Sequence, residues 1–330
     1  MAEPQIKPTP APAESLDSQT SGDEVPTKKK NRLWTVVKIV VSTALLALLI
    51  SQVNWKIFLT VAASISFVYM IYPLVAYYVN VGLSVFKWQT LLRYLTIIER
   101  FGRLYMVYMI GAYYNNFLPS TIGGDGYRFL IIRADHPGKS EQTFSSILLE
   151  RGFGYLILIV VNILLAAWFW KFLSSQTWLL LIEIGLAAGL VFIGILWLFR
   201  YRFAAILPKW KFLSKLEQFL HMIDIQDRRV LFISVGTSFL FVLIGGVWLG
   251  VYYWSVGVQV DWLYTIYVST LMNIIGAIPI TLNGLGIVEL VQVRMMGLVG
   301  IPIETVLVVS IMTRMVLILL SLPGGILSFR

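Results

Sequence analysis

Six long apolar runs constrain the fold of this chain more than any other feature of its sequence. A helix needs about 20 apolar residues to cross the hydrocarbon core of a bilayer, and each run reaches or approaches that length. Only 13% of the residues are charged, whereas soluble domains carry roughly 25%. The runs are residues 34–53, 57–81, 153–170, 178–199, 230–254 and 303–327. The sequence therefore predicts an all-α, polytopic integral membrane helix bundle.

The composition also restricts the chemistry that the protein can perform. Cysteine is absent and the only histidines are His136 and His221, which disfavours disulfides, thiolate chemistry and a histidine-built metal centre. No nucleotide-binding, zinc-binding or catalytic Ser/His/Asp motif occurs, so we expect no metal and no cofactor. Any uphill transport would then depend on an ion gradient; the alternative is that the protein equilibrates lipid passively. The net charge of +9 favours basic loops beside anionic lipid over nucleic-acid binding.

Residues 1–32 are predicted to form a disordered cytoplasmic tail that ends in a basic juxtamembrane cluster. Residues 1–27 are rich in Pro, Ser, Thr and acidic side chains, and such segments bury too little apolar area to become ordered. Residues 28–32 read KKKNR and directly precede the first apolar run. A cleaved signal peptide is the alternative, which the late start and the length of that run disfavour. Residues 33–330 are then the transmembrane domain.

The distribution of Lys and Arg predicts the topology, because basic loops stay in the cytoplasm. Segments 82–103, 127–151 and 200–229 are basic, whereas the short loop 171–177 contains one Lys. Both termini are therefore expected on the cytoplasmic side of the cytoplasmic membrane. Within the first basic segment, residues 82–100 are amphipathic and contain Trp88 and Tyr94, which favours an interfacial helix on the inner leaflet.

Two shorter apolar stretches, residues 104–119 and 262–279, each end at a proline that begins the same pattern, P-x-T-x-x-G-x-G. The predicted topology brings the first stretch in from the cytoplasm and the second from outside. The sequence therefore predicts two inverted broken or re-entrant helix repeats, an architecture that many transporters use to place a substrate site near the breaks. The alternative is a pair of Pro/Gly kinks that serve helix packing alone.

Charged side chains within membrane segments are costly and are therefore candidates for function. Arg314 lies about halfway along the last apolar run, where it cannot deprotonate and needs a carboxylate, a carbonyl cluster or an anionic substrate. An ion pair with Glu289 or Glu150 is the alternative to a lipid phosphate. Glu183 is expected near the outer interface and carries less weight.

The candidate substrate-binding residues lie in the two patterns and on the spanning helices that follow them. Glycine-rich breaks that meet helix N-termini, with arginines nearby, are suited to binding phosphate. The candidates are Asn116, Pro119, Gly123, Gly124, Asp125, Arg128, Glu150, Arg151, Pro279, Asn283, Gly284, Gly286, Glu289 and Arg314.

These residues resemble the signatures of the lysylphosphatidylglycerol synthase transmembrane (flippase-like) family. The first signature is NFLP at 116–119, GGDGYR at 123–128 and Glu150-Arg151; the second is PITLNGLGIVE at 279–289 with Arg314. The resemblance covers about residues 34–327. In that family the membrane domain sits beside a soluble aminoacyl-transferase domain and is held to flip the modified lipid. No transferase is expected within these 330 residues, so the resemblance implies lipid translocation or service to a separate glycosyltransferase.

Three functions remain open from the sequence. The leading hypothesis is flippase-like translocation of an anionic phospholipid or a polyprenyl-linked lipid, with arginines at the phosphate and membrane lipids as the partners. The second is an integral-membrane enzyme for lipid headgroup modification, with Asp125 or Glu150 as general base. The third is a non-catalytic membrane subunit for a separately encoded lipid-modifying or glycosyl transferase. A transporter is favoured over an enzyme, because no catalytic motif accompanies the carboxylates.

Overall fold

In a computed structural model of the chain, residues 28–117, 123–199, 225 and 227–329 are described, and every regular element among them is helical. Short 3₁₀ turns occur at Phe67–Met70 and Leu282–Gly284. The α-helices are α1 (Lys28–Ile50), α2 (Trp55–Ala63), α3 (Ile71–Tyr94), α4 (Phe101–Phe117), α5 (Gly123–Asp135), α6 (Ser140–Trp168), α7 (Trp170–Leu173), α8 (Thr177–Leu198), α9 (Arg228–Ser255), α10 (Trp262–Gly276), α11 (Ile287–Leu298) and α12 (Ile303–Leu327). The predicted all-α class is confirmed.

Five helical segments of the described residues are long and apolar enough to cross a membrane. They are Phe67–Tyr94, Ser140–Trp168, Thr177–Ile195, Arg228–Ser255 and Ile303–Leu327. The segments Val36–Ile50 and Trp55–Ala63 reach the required length together, but they meet at an angle of 90°. The protein is therefore a multi-pass membrane protein, as the apolar runs predicted.

The second predicted span, residues 57–81, is wrong in its position. The chain breaks after α2, where Ser66 N donates to Ser255 O at 2.8 Å, and the spanning segment is Phe67–Tyr94. The predicted interfacial helix at 82–100 is wrong for the same reason, because residues 82–94 continue this span. Trp88 is fully buried and Lys87 is 4% exposed. Hydropathy misplaced the span because the polar side chains of α3 face protein rather than water or lipid.

The helices on either side of each P-x-T-x-x-G-x-G pattern form a helical hairpin. In the first, Arg103 near the start of α4 pairs with Asp135 at the end of α5. In the second, Tyr264 OH near the start of α10 donates to Met295 O near the end of α11 at 2.6 Å. Each hairpin therefore returns towards the end at which it begins.

The two hairpins open towards opposite ends of α6. Lys139, which precedes α6, donates through Nζ to Thr96 O beside the start of α4 at 2.6 Å. At the other end, the rings of Phe169 and Tyr264 lie 5.6 Å apart, beside the start of α10. Helices α6, α9 and α10 pack together between these ends. An inverted repeat requires such an arrangement, and the symmetry relation between the two copies stays a prediction.

Several predictions fall on residues outside those described. They concern the predicted tail at 1–27, Pro119 in the first break, and most of the basic loop 200–229. Residues 28–32, which were assigned to the end of the tail, already belong to α1.

Candidate functional site

Five charged side chains meet beside the first break and are called the charged cluster below. Helix α3 contributes Lys87, α5 contributes Asp125 and Arg128, and α6 contributes Glu150 and Arg151. Three cations face two carboxylates, so the cluster carries one net positive charge when all five side chains are ionised. Buried charged side chains need partners of opposite charge, because an isolated ion in a low-dielectric interior is costly.

Both carboxylates contact cations of the cluster. Glu150 Oε2 accepts from Arg128 Nη1 at 3.2 Å, and Glu150 Oε1 lies 3.4 Å from Lys87 Nζ. Asp125 accepts from Arg151 Nε at 2.9 Å and Arg151 Nη2 at 3.0 Å, and Oδ1 also accepts from Arg128 Nη1 at 3.1 Å. Each of the five side chains is therefore paired within the cluster.

Arg128 lies at the centre of the cluster, with a side chain that is 2% exposed. Its guanidinium carbon is 4.1 Å from the centroid of the Trp88 ring and 4.3 Å from that of the Tyr108 ring. Both contacts are within the range of cation–π attraction. Its Nε and Nη2 have no hydrogen-bond partner among the described residues. Buried donors of this kind are normally satisfied, which leaves a place for a water molecule or a ligand oxygen.

Close contact between α4 and α5 positions Asp125 and Arg128. A Cβ atom on Gly124 would lie 2.0 Å from Gly111 O, so only glycine allows the two helices to approach this closely. Asn115 Oδ1 accepts from Gly124 N at 2.8 Å and caps the start of α5. The sequence had singled out the neighbouring Asn116, which is half-buried at the end of α4 beside the break.

The second break is described in full, and the predicted interruption is confirmed. Helix α10 already ends at Gly276, three residues before Pro279, and α11 begins at Ile287. Asn283, Gly284 and Gly286 have φ of 48°, 71° and 87°, a left-handed conformation that favours glycine and tolerates asparagine. A Cβ on Gly286 would also lie 2.8 Å from Leu45 Cβ. Residues 278–280 are exposed, so Pro279 marks the break without being enclosed by it.

Arg314 forms an ion pair with Glu289, which is the predicted alternative to a lipid phosphate. Its Nε pairs with Glu289 Oε1, while Glu289 Oε2 accepts from Gly286 N at 2.6 Å at the start of α11. Glu289 therefore joins the second break to α12. The Arg314 side chain remains 28% exposed. Among the described residues, no ion pair joins Arg314 or Glu289 to the charged cluster.

Lys87 is the functional candidate that the sequence analysis missed. Its place in a basic, amphipathic segment predicts an interfacial position, but Lys87 donates to Ser238 Oγ at 3.1 Å in the interior. A signal was present in the spacing of Asn80, Ser84 and Lys87, which repeats every three or four residues and marks one face of a helix. A polar face on a helix of this length indicates a surface turned towards protein.

These features define a multi-pass helical membrane protein with polar groups gathered at two interrupted helices. The chain belongs to the family of the lysylphosphatidylglycerol synthase TM region, whose sequence model matches residues 35–324. This confirms the resemblance and points to a membrane protein that acts on lipids. A comparison with curated proteins found no match.

Proposed function

We propose that the protein moves an anionic lipid, either a phospholipid or a polyprenyl-linked phosphate, between the leaflets of the cytoplasmic membrane. The charged cluster carries this proposal. It has an excess of one positive charge beside an interrupted helix, and two buried Arg128 donors have no partner among the described residues. A phosphate group would supply the missing negative charge and the missing acceptors.

Arg151 is the member of the cluster that can first meet a lipid headgroup. Its side chain is 36% exposed, whereas those of Lys87, Arg128 and Glu150 are at most 6% exposed. Asp125 fixes the guanidinium through two hydrogen bonds, and an arginine held in this way presents a planar fork that matches phosphate oxygens. We assign the first contact with lipid to Arg151 and the deeper contact to Arg128.

The function can be tested with purified protein in vesicles that contain phosphatidylglycerol labelled in one leaflet. Wild-type protein should speed the transfer between leaflets without changing the lipid chemically. Arg151→Gln should slow this transfer about tenfold or more, because a hydrogen bond to a charged group contributes about 1.5–3 kcal/mol. Arg133→Gln is the matched control, since Arg133 is an exposed arginine of α5 outside the cluster.

The outcomes separate the three functions. Transfer that Arg151→Gln slows and Arg133→Gln does not supports translocation. A chemically altered lipid would overturn it in favour of an enzyme. Activity that requires an added transferase would overturn it in favour of a membrane subunit.

The proposal includes an orientation with both termini in the cytoplasm, and this can be measured separately. The chain lacks cysteine, so single cysteines report without background. Ser174→Cys and Ala134→Cys stand at exposed positions near opposite ends of α6. An impermeant thiol reagent should label Ser174→Cys in intact cells and Ala134→Cys only after permeabilisation. The reverse pattern would contradict the orientation.

A further inference from the structure

Glu183 is a buried carboxylate that the proposed site does not use. It lies six residues into α8, roughly 9 Å along the helix, and it is 9% exposed. Helix α8 is the least buried of the five candidate spans. Glu183 is therefore one of the few side chains by which this helix reaches the protein interior.

Glu183 contacts Tyr267 and Asn162 on two other helices, and Asn162 in turn contacts Thr270. These four residues are called the Glu183 cluster. Tyr267 OH on α10 donates to Glu183 Oε1 at 2.7 Å. The side-chain amide of Asn162 on α6 is oriented so that both its nitrogen and its oxygen have hydrogen-bond partners. The nitrogen lies 3.1 Å from each Glu183 oxygen, and the oxygen lies 3.0 Å from Thr270 Oγ1. Asn162 and Thr270 are almost fully buried. The cluster thus joins α6, α8 and α10.

The Glu183 cluster differs in its charge balance from the charged cluster and from the pair between Glu289 and Arg314. Glu150 and Glu289 each contact a cation, whereas no Lys, Arg or His of the described residues forms an ion pair with Glu183. The titratable group facing it from α10 is Tyr267, and α6 presents the neutral Asn162. Lys171 on α7 is exposed. Burial without a cation disfavours the charged form of a carboxyl group, and donors that point at its oxygens favour it.

Ionisation of Glu183 would alter the contacts of α10. As a carboxylate, Glu183 accepts hydrogen bonds from Tyr267 and Asn162. As a neutral acid it also carries an O–H donor, and this donor needs an acceptor that Tyr267 and Asn162 do not provide while both donate to Glu183, so the hydrogen bonding of the cluster has to change. Helix α10 runs directly into the second break, whose far side is held by the pair between Glu289 and Arg314. Proton binding at Glu183 can therefore alter the second break through α10.

We propose that Glu183 is a proton-binding site and that its proton uptake and release couple lipid movement to a proton gradient. A proton from water binds one carboxylate oxygen, and the same O–H bond breaks on release to the other side of the membrane. The sequence has no nucleotide-binding motif, so uphill lipid movement would have to draw on an ion gradient. The coupling rests on the proposed function, whereas the proton binding does not.

Infrared titration of the full chain in vesicles tests the proton site directly. The carbonyl stretch of a protonated carboxyl group should appear as the pH is lowered and disappear as the pH is raised. Glu183→Gln should remove this band. Glu304→Gln is the matched control and should keep it, since Glu304 is equally buried and accepts from Asn54 N at 3.1 Å.

Tyr267→Phe provides a second variant that retains the ring. It removes a donor to the charged form, so the pH midpoint of the band should rise by about one unit. A band that does not respond to pH, or that persists in Glu183→Gln, would overturn the proton site.

The coupling is tested by imposing a pH gradient across the same vesicles during lipid transfer. Wild-type transfer should accelerate in one gradient direction, and Glu183→Gln should respond to neither direction while keeping transfer without a gradient. Wild-type transfer that ignores the gradient would overturn the coupling and leave translocation standing. A titrating band without any lipid transfer would overturn the proposed function, and the coupling with it, and leave the proton site standing.

Discussion

Glu150→Gln is expected to lower the free energy of unfolding by about 3–5 kcal/mol, the cost of leaving a buried charge without its partner. Glu150 is 4% exposed and joins Lys87 to Arg128. Without its charge, three cations share the single carboxylate of Asp125, and the excess positive charge of the cluster rises from one to two. The measurement is an unfolding titration in mixed micelles, with lipid transfer recorded on the same sample.

Two further variants identify the source of this loss. Lys87→Met in the Glu150→Gln background removes the stranded cation, so it should recover part of the stability. Glu141→Gln changes an exposed carboxylate of the same helix and should alter stability by no more than about 0.5 kcal/mol. If Glu150→Gln unfolds like wild type, the cluster does not hold α3, α5 and α6 together.

Gly124→Ala is expected to abolish activity and to cost about 1–3 kcal/mol or more, because overpacked contacts force the backbone to move. The added Cβ would lie 2.0 Å from Gly111 O and 2.8 Å from Asn115 Cγ. Helices α4 and α5 would have to separate, which moves Asp125 and Arg128 away from α6. Lipid transfer and thermal melting in detergent, measured together, report both effects.

Neighbouring glycines give a graded control for this prediction. A Cβ on Gly111 would be 3.0 Å from Gly124 O, so Gly111→Ala should have an intermediate effect. A Cβ on Gly126 would meet nothing within 4 Å. Gly126→Ala should therefore be neutral or stabilising by up to about 1 kcal/mol, since alanine favours helix. Equal losses at Gly124 and Gly126 would show that close packing of α4 on α5 is not the cause.

The second break could be predicted almost completely from its residues. A proline followed by Asn283, Gly284 and Gly286 specifies a left-handed path through local sterics alone, and the structure follows that path. The first break shares the pattern, yet the need for Gly124 has another origin. Gly124 lies within α5, and only its distance from Gly111 excludes a side chain. A contact between two helices cannot be predicted from the residues of one short sequence pattern.

For Arg314 as well, the need for a partner could be predicted from the sequence, but the identity of that partner could not. Its depth in the last apolar run told us that it needs a partner, because a guanidinium cannot lose its charge. The choice among Glu289, Glu150 and a lipid depended on how α11 packs beside α12, which placed Glu289 in contact. The sequence contains several carboxylates that could pair with Arg314, and their charge alone does not show which of them does.

A helical membrane protein with helices that end at glycine-rich patterns is predictable from the residues alone. Those properties follow from hydropathy and backbone sterics, which act over a few residues at a time. Tertiary structure alone decided that Lys87 is buried and that it shares Glu150 with Arg128. It also decided that Glu183 meets Tyr267 rather than a cation. Hydropathy treats each helix as if lipid surrounded it, whereas the partner of a buried charge is set by residues far away in the chain that packing brings within a few ångströms.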